Sequence, residues 1–157
     1  TFIQAFDYPQ IDAALLFLPI MGFIAYDDER MIRTTNAVWK ELSEDGLIRR
    51  YPEGTDEMKG KEGAFLPCSF WLAECLAGQN RIEDAQKVFE QALSAANDLL
   101  LFSEEYDMQN HQMRGNFPQA LTHLSLISAA VAIQQNGNRT NLTHAADSKN
   151  TTSSEAN

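Results

Sequence analysis

Residues 67–78 read PCSFWLAECLAG, and this stretch decides the fold class of the chain. Pro67 suits the first turn of a helix, where its missing N–H leaves no helical hydrogen bond unmade. The apolar residues that follow cover a broad side, and Gly78 marks the end of the helix. From Arg81 to about Leu99, apolar residues recur at helical spacing with charges opposite. The two segments together predict an antiparallel helical hairpin.

Two further helices are predicted before this hairpin. Asp12 is a good N-cap, and residues 13–18 are apolar nearly all round, which is typical of a helix buried on most sides. Asp27-Asp28 caps a second, amphipathic helix that ends at about Leu42. A lone hairpin could not bury residues 13–18, so this part of the chain requires additional neighbours.

The last predicted helix begins at Pro118 and ends at Asn136-Gly137. No convincing strand pattern is found along the chain, so the predicted fold class is all-α, with one domain over residues 1–137. After Asn138 the chain consists of Asn, Thr, Ser, Ala and charged residues with almost no large apolar side chain. This composition predicts a disordered polar tail over residues 138–157.

Charge and composition exclude several kinds of partner. The formal net charge of −10 repels phosphate, which argues against nucleic acid and against an anionic membrane surface. No apolar run approaches the roughly 20 residues that span a bilayer, and no signal peptide is recognised at the N-terminus. Cys68 and Cys75 lie two helical turns apart, about 10 Å, too far for a disulfide. We therefore expect a cytoplasmic protein with reduced cysteines.

Polar and aromatic groups concentrate in irregular stretches that each end where a helix begins. Residues 103–107 (SEEYD) hold three carboxylates and a phenol, and residues 50–53 and 62–71 form a second such region. Residues 115–120 form the third irregular stretch. Loops of this kind, gathered at one end of a helical array, predict a carbohydrate pocket. A solvated charged loop would look similar at 103–107 alone.

Glycoside hydrolysis needs two carboxyl groups that flank the scissile bond, and the stretch 103–107 can supply one of them. Arg50 and Glu53 have the chemistry to hold sugar hydroxyls, and Tyr51 can pack on a sugar ring. The structural alternative for Arg50 and Glu53 is a surface ion pair. The three histidines show no metal-ligand spacing and no phosphate-binding loop occurs, so neither a metal nor a cofactor is expected.

Four ordered blocks resemble the C-terminal part of glycoside hydrolase family 15, which contains glucoamylases, glucodextranases and bacterial trehalases. They are RYPEG at 50–54, EGAFLPCSFWLAECLA at 62–77, NDLLLFSEEYD at 97–107 and GNFPQALTHLSLI at 115–127. The resemblance implies part of an (α/α)6 toroid of helical hairpins, with the active site where the loops gather. It also implies an α-glucoside substrate of the trehalose or malto-oligosaccharide type.

Members of the family invert the anomeric centre with two glutamates. The resemblance maps the general base to Glu104, with Glu105 as the second choice. The implied sugar contacts are Arg50, Tyr51, Glu53 and Glu62.

One departure from the family pattern is the general acid, which lies in a Trp-Glu motif. Neither Trp39-Lys40 nor Trp71-Leu72 reproduces that motif. We therefore expect a fragment of an inverting hydrolase that lacks the general acid, is inactive alone and packs against the remainder of the toroid.

Two alternatives remain: a stand-alone sugar-binding module and a helical interaction module. A solenoid of helices shows repeats of fixed period, but residues 27–42 and 81–99 share no motif.

Overall fold

The computed structural model describes residues 1–7, 10–52, 54–55 and 63–154, with side chains described as far as Asn138. A 3-10 helix, Ala13–Leu16, precedes five α-helices among these residues. The α-helices are α1 Phe17–Ile20, α2 Glu29–Leu42, α3 Leu66–Gly78, α4 Ile82–Leu93 and α5 Ala120–Ser154. The strands are β1 Ser43–Glu44, β2 Leu47–Ile48, β3 Ala64–Phe65, β4 Glu105–Asp107 and β5 Gln112–Arg114.

The fold is rich in helix, as predicted, but the expectation that no strand occurs is wrong. β1 and β2 form an antiparallel hairpin, and β3, β4 and β5 form an antiparallel sheet in that order. Each strand is two or three residues long. Such strands are too short to show the alternation that reveals a strand in sequence. The arrangement of the helices as part of an (α/α)6 toroid stays a prediction.

Helix α3 lies at the centre of the core. Every residue from Leu66 to Ala77 is buried, because the helix is apolar on nearly all sides and packs against both α4 and α5. The Phe70 ring meets Phe89 edge-on at 5.6 Å between ring centroids and Phe102 at 5.7 Å. On another side the indole N–H of Trp71 donates to Ser125 Oγ of α5 at 2.8 Å.

The N-terminal helices follow the sequence closely. The Asp12 side chain accepts a hydrogen bond from Ala14 N, and the 3-10 helix continues directly into α1. Asp28 caps α2 by accepting a hydrogen bond from Arg30 N. The cap residues of both segments are therefore as predicted.

The ends of α4 and α5 differ from the prediction. Helix α4 stops at Leu93 rather than near Leu99, because the Asn97 side chain accepts hydrogen bonds from Leu99 N and Leu101 N and so stabilises a turn. Helix α5 does not end at Gly137 but continues to Ser154. This helix enters residues 138–157, where side chains past Asn138 are not described, and the disordered tail stays a prediction.

The two cysteines are buried free thiols, as expected. Burial raises the pKa of both Cys68 and Cys75 well above the ordinary value, which disfavours the reactive thiolate. Within the described ranges, no helix is both long and apolar enough to cross a bilayer.

Candidate active site

The stretch 103–107, expected to be a loop, forms the middle strand of the three-stranded sheet from Glu105 onward. Tyr106 pairs with Ala64 of β3 and with Met113 of β5. A Cβ atom on Gly63 would lie 2.6 Å from the Tyr106 carbonyl oxygen, so the close approach of β3 requires glycine there. The sheet stabilises this stretch through partners that are distant in sequence.

The sheet brings three of the predicted site segments together. Leu66 N, at the start of α3, donates to the Glu104 carbonyl at 3.1 Å. Gln119 N, just before α5, donates to the Phe102 carbonyl at 2.9 Å. Segments 63–66, 103–107 and 115–119 therefore meet where α3 and α5 begin.

Glu104 is half-buried and precedes β4. Its Oε2 atom accepts hydrogen bonds from Asn116 N at 3.1 Å and from Asn116 Nδ2 at 2.9 Å. Its own backbone N–H donates to the Asn116 carbonyl at 2.9 Å. The carboxylate is thus held through one oxygen by a single residue of the 115–120 segment.

Glu105 has a different environment, although it is the next residue. It lies directly across from Arg114 in the register of β4 and β5, and its carbonyl accepts a hydrogen bond from Ser103 Oγ at 2.6 Å. Because alternate residues of a strand share a face, Glu105 and Asp107 lie on the same side of the sheet as Arg114. The two candidate bases therefore have different neighbours: the Glu104 carboxylate is bonded to Asn116, whereas Glu105 faces Arg114 in the register of β4 and β5.

Asp107 stabilises the turn between β4 and β5. Its Oδ1 accepts hydrogen bonds from the backbone N–H groups of Gln109 and Asn110 at 3.0 Å each, and its Oδ2 accepts from Asn110 Nδ2 at 2.9 Å. Oδ2 also forms an ion pair with Arg114. The turn borders a polar cavity of about 70 Å³, which is lined by Glu44, Arg49, Asp107, Met108, Gln109, Asn110 and Arg114.

The Asp107 hydrogen bonds predict a pH effect. The bond from the Asn110 side chain, followed by the bond from its backbone, lowers the pKa of Asp107 below the ordinary 3.8. A depressed pKa contributes stability that is present above pH 3.8 and is lost as the pH falls through the lower folded value. In a ¹³C carboxyl titration we expect Asp107 to titrate below 3.8, and at higher pH in Asn110→Ala.

Asp28 is the internal control for this titration. Its pKa is lowered to about 2, chiefly by the side-chain hydrogen bond from Arg30, and Asn110→Ala should leave it unchanged. An Asp107 carboxyl that titrates at 3.8 or above in the unaltered chain would contradict the prediction.

Arg50 pairs with Asp12. Its Nε donates to Asp12 Oδ1 at 2.7 Å, and its backbone carbonyl accepts a hydrogen bond from Ala13 N at 3.0 Å. The Asp12 side chain is 2% exposed and that of Arg50 is 31% exposed, so this is not a surface ion pair. The guanidinium also lies over the Tyr51 ring, 5.1 Å from its centroid. Glu53 and Glu62, the other predicted sugar contacts, lie outside the described residues.

The segment that carries Arg50 and Tyr51 is fixed at the same end of α3. It follows β2, whose Ile48 N donates to Ser69 Oγ in the first turn of α3 at 3.0 Å. Glu104 is bonded to the start of the same helix through Leu66. The first turn of α3 therefore positions both groups of predicted site residues. The described residues contain no cluster of three or more His, Cys, Asp or Glu that could hold a metal ion.

Sequence reasoning did not identify Asn116 as a partner of Glu104, nor Asp12 as a partner of Arg50. Asn116 lies 12 residues from Glu104, and Asp12 lies 38 residues from Arg50. Helix and strand periodicity relate residues only a few positions apart, so they do not predict contacts at these separations. For the first pair the sequence showed only the carboxylate-rich stretch 103–107. For the second it showed only that Asp12 is a good N-cap.

The chain is similar in sequence to several trehalases. Trehalases from Thermoplasma volcanium and Thermoplasma acidophilum are 45% and 43% identical over 136 residues, which is 86% of this chain and 22% and 23% of theirs. A trehalase from Mycobacterium tuberculosis is 41% identical over 134 residues, 84% of this chain and 20% of that protein. The chain thus spans about a fifth of the length of these curated relatives. No solved structure matches it.

The sequence profile described as Glycosyl hydrolases family 15 matches residues 1–131. This match covers most of the 157 residues, including the segment of Arg50 and Tyr51 and the segment of Glu104 and Glu105. The chain therefore belongs to glycosyl hydrolase family 15.

Proposed function

We propose that this chain forms part of an inverting α-glucoside hydrolase, contributing the general base and part of the sugar pocket. Family membership supports hydrolysis of a glycosidic bond, and the names of the relatives favour trehalose as the substrate. One observation carries the assignment of the base. Glu104 is half-buried at the junction of three site segments, with Oε2 already occupied by two hydrogen bonds.

In this mechanism a water molecule attacks the anomeric carbon from the face opposite the leaving oxygen. Glu104 accepts a proton from that water, so it must be ionised before the reaction. A second carboxylic acid protonates the leaving oxygen, at about 6.5–9.5 Å from the base in inverting enzymes. We assign this acid to another part of a longer protein, because the Trp-Glu motif expected for it is not found in this sequence.

Arg50 and Tyr51 contact the sugar in this proposal. The Asp12 carboxylate fixes the Nε edge of the Arg50 guanidinium, which reduces the conformational entropy lost when a ligand binds. The aromatic ring of Tyr51 supplies a face on which a sugar ring can pack. Glu53 and Glu62 are proposed as further contacts from the family resemblance alone.

The remainder of the toroid is the proposed partner of an apolar stripe on α5. Leu121, Leu124, Ile127 and Val131 are 38%, 65%, 56% and 44% exposed, and their spacing places them along one side of the helix. Covering such a stripe removes apolar surface from water and favours association. We also propose a cytoplasmic location, as expected from the composition.

The stereochemistry of the products tests the proposed reaction. In a polypeptide of the relatives' length that carries this sequence, inversion at one anomeric carbon of trehalose yields one β-glucose. The other glucose leaves as the α-anomer. We therefore expect ¹H NMR to show equal amounts of the two anomers before mutarotation. Release of only α-glucose would demonstrate retention and would overturn the inverting mechanism.

The purified 157-residue chain should not hydrolyse trehalose or maltose, because it lacks the proposed general acid. Glucose release measured with a coupled assay should equal that of a Glu104→Gln control chain. Turnover by the unaltered chain that the Glu104→Gln control lacks would show that both catalytic groups lie within these residues.

A further inference from the structure

Asn116 and Glu104 are joined by three hydrogen bonds. Asn116 donates twice to Oε2, from its backbone N and its Nδ2, and its carbonyl accepts from Glu104 N. Backbone and side chain of both residues therefore take part, and the glutamate cannot shift without breaking several bonds at once.

Gly115 allows this approach. Its φ is +73°, a left-handed conformation that side-chain-bearing residues rarely adopt. A Cβ atom there would lie 2.8 Å from Oε2 of Glu104 and 2.9 Å from its Cβ. Both the backbone conformation and the space beside the carboxylate therefore require glycine.

The two donors from Asn116 have a chemical consequence. A carboxylate oxygen has about two lone-pair directions, and Asn116 occupies two acceptor positions on Oε2. Proton transfer from a water molecule is then left to Oε1. Asn116 itself is exposed, so its side chain does not form part of the apolar core.

We infer that Asn116 is a positioning residue, which saturates Oε2 of Glu104 and so makes Oε1 the atom that accepts the proton, and that Gly115 is required for this contact. The inference rests on the proposed role of Glu104 as the general base. It concerns the rate of the chemical step, because the orientation of a catalytic group affects the transition state more than ground-state binding.

The test compares variants of a polypeptide of the relatives' length that carries this sequence. Asn116→Ala should lower kcat on trehalose by about 10- to 100-fold with KM changed by less than about 3-fold, since small misplacements of reacting groups cost up to about 100-fold. Asn116→Gln, which keeps an amide donor, should recover part of the loss. Gly115→Ala should lower kcat at least as much as Asn116→Ala.

Asn110→Ala is the matched control. It removes an amide that also donates to a carboxylate at 2.9 Å, but to Asp107 rather than Glu104. We expect its kcat to stay close to that of the unaltered protein, because Asp107 has no proposed contact with the reacting groups. An equal loss of kcat in both variants would overturn the inference, since the effect would then be a general property of the sheet.

A double variant separates this inference from the proposed function. In a Glu104→Gln background, Asn116→Ala should cause no further loss of kcat, because the two residues act as one unit. If Glu104→Gln itself retains normal turnover, the assignment of the base is wrong. If Glu104→Gln is inactive but Asn116→Ala has normal kcat, or changes only KM, the base stands and the positioning role of Asn116 is overturned.

Discussion

Replacement of Glu104 by glutamine should lower kcat by about 10³-fold, within the 10²- to 10⁴-fold range of a lost general base, while KM changes little. Glutamine keeps the shape of the side chain and can still accept hydrogen bonds through its oxygen. It cannot take up the proton that the attacking water must lose. The measurement is steady-state hydrolysis of trehalose in a polypeptide of the relatives' length.

Glu105→Gln is the matched control, since it makes the same chemical change one residue further along the chain. Glu105 lies across from Arg114 rather than beside Asn116. We propose that Glu105 contacts the sugar or supports a group that does, and so expect this variant mainly to raise KM. The reverse pattern, with normal turnover in Glu104→Gln and almost none in Glu105→Gln, would move the base to Glu105.

Asp12→Ala should lower the free energy of unfolding by about 2–4 kcal/mol. The change removes an N-cap, which is worth about 1 kcal/mol, and leaves the partly buried Arg50 guanidinium without its Oδ1 acceptor. The loss of the Arg50 contact accounts for the larger part of the estimate. Urea unfolding followed by circular dichroism measures the change.

Asp28→Ala is the matched comparison, because Asp28 makes the same kinds of contact as Asp12 in a more exposed position. Asp28 Oδ1 also accepts from a backbone N–H two residues on, at 2.8 Å, and from an arginine Nε, at 2.9 Å. Its partner Arg30 is 59% exposed, against 31% for Arg50. We expect Asp28→Ala to lower the free energy of unfolding by clearly less than Asp12→Ala, because exposed ion pairs contribute little. Equal losses in the two variants would show that burial of Asp12 has no energetic effect.

Local sequence patterns predicted the helices well, because helix formation depends on neighbours within one or two turns. The caps at Asp12 and Asp28 and the proline in the first turn of α3 are all found where expected. Strands β3 and β4 were not predicted, because they form by pairing between residues far apart in sequence, such as Ala64 and Tyr106. A strand of two or three residues has almost no pattern of its own.

The candidate site shows the same division between local and distant contacts. Glu104 and Arg50 stand out in sequence as polar groups in irregular stretches, and the family resemblance assigns them roles. Their partners Asn116 and Asp12 become visible only when the chain is folded. The residues proposed to do the chemistry were thus predictable from the sequence, whereas the residues that hold them in place were not.

The complete burial of α3 bears on how the chain unfolds. Since every residue from Leu66 to Ala77 is enclosed, the helix cannot open locally without exposing the core to water. We therefore expect its amide protons to exchange with solvent mainly through global unfolding, unlike those of exposed turns. Loss of α3 would also release the first turn that holds the segments of Glu104 and Arg50. We therefore expect the proposed sugar site and the core to form and disappear as one cooperative unit.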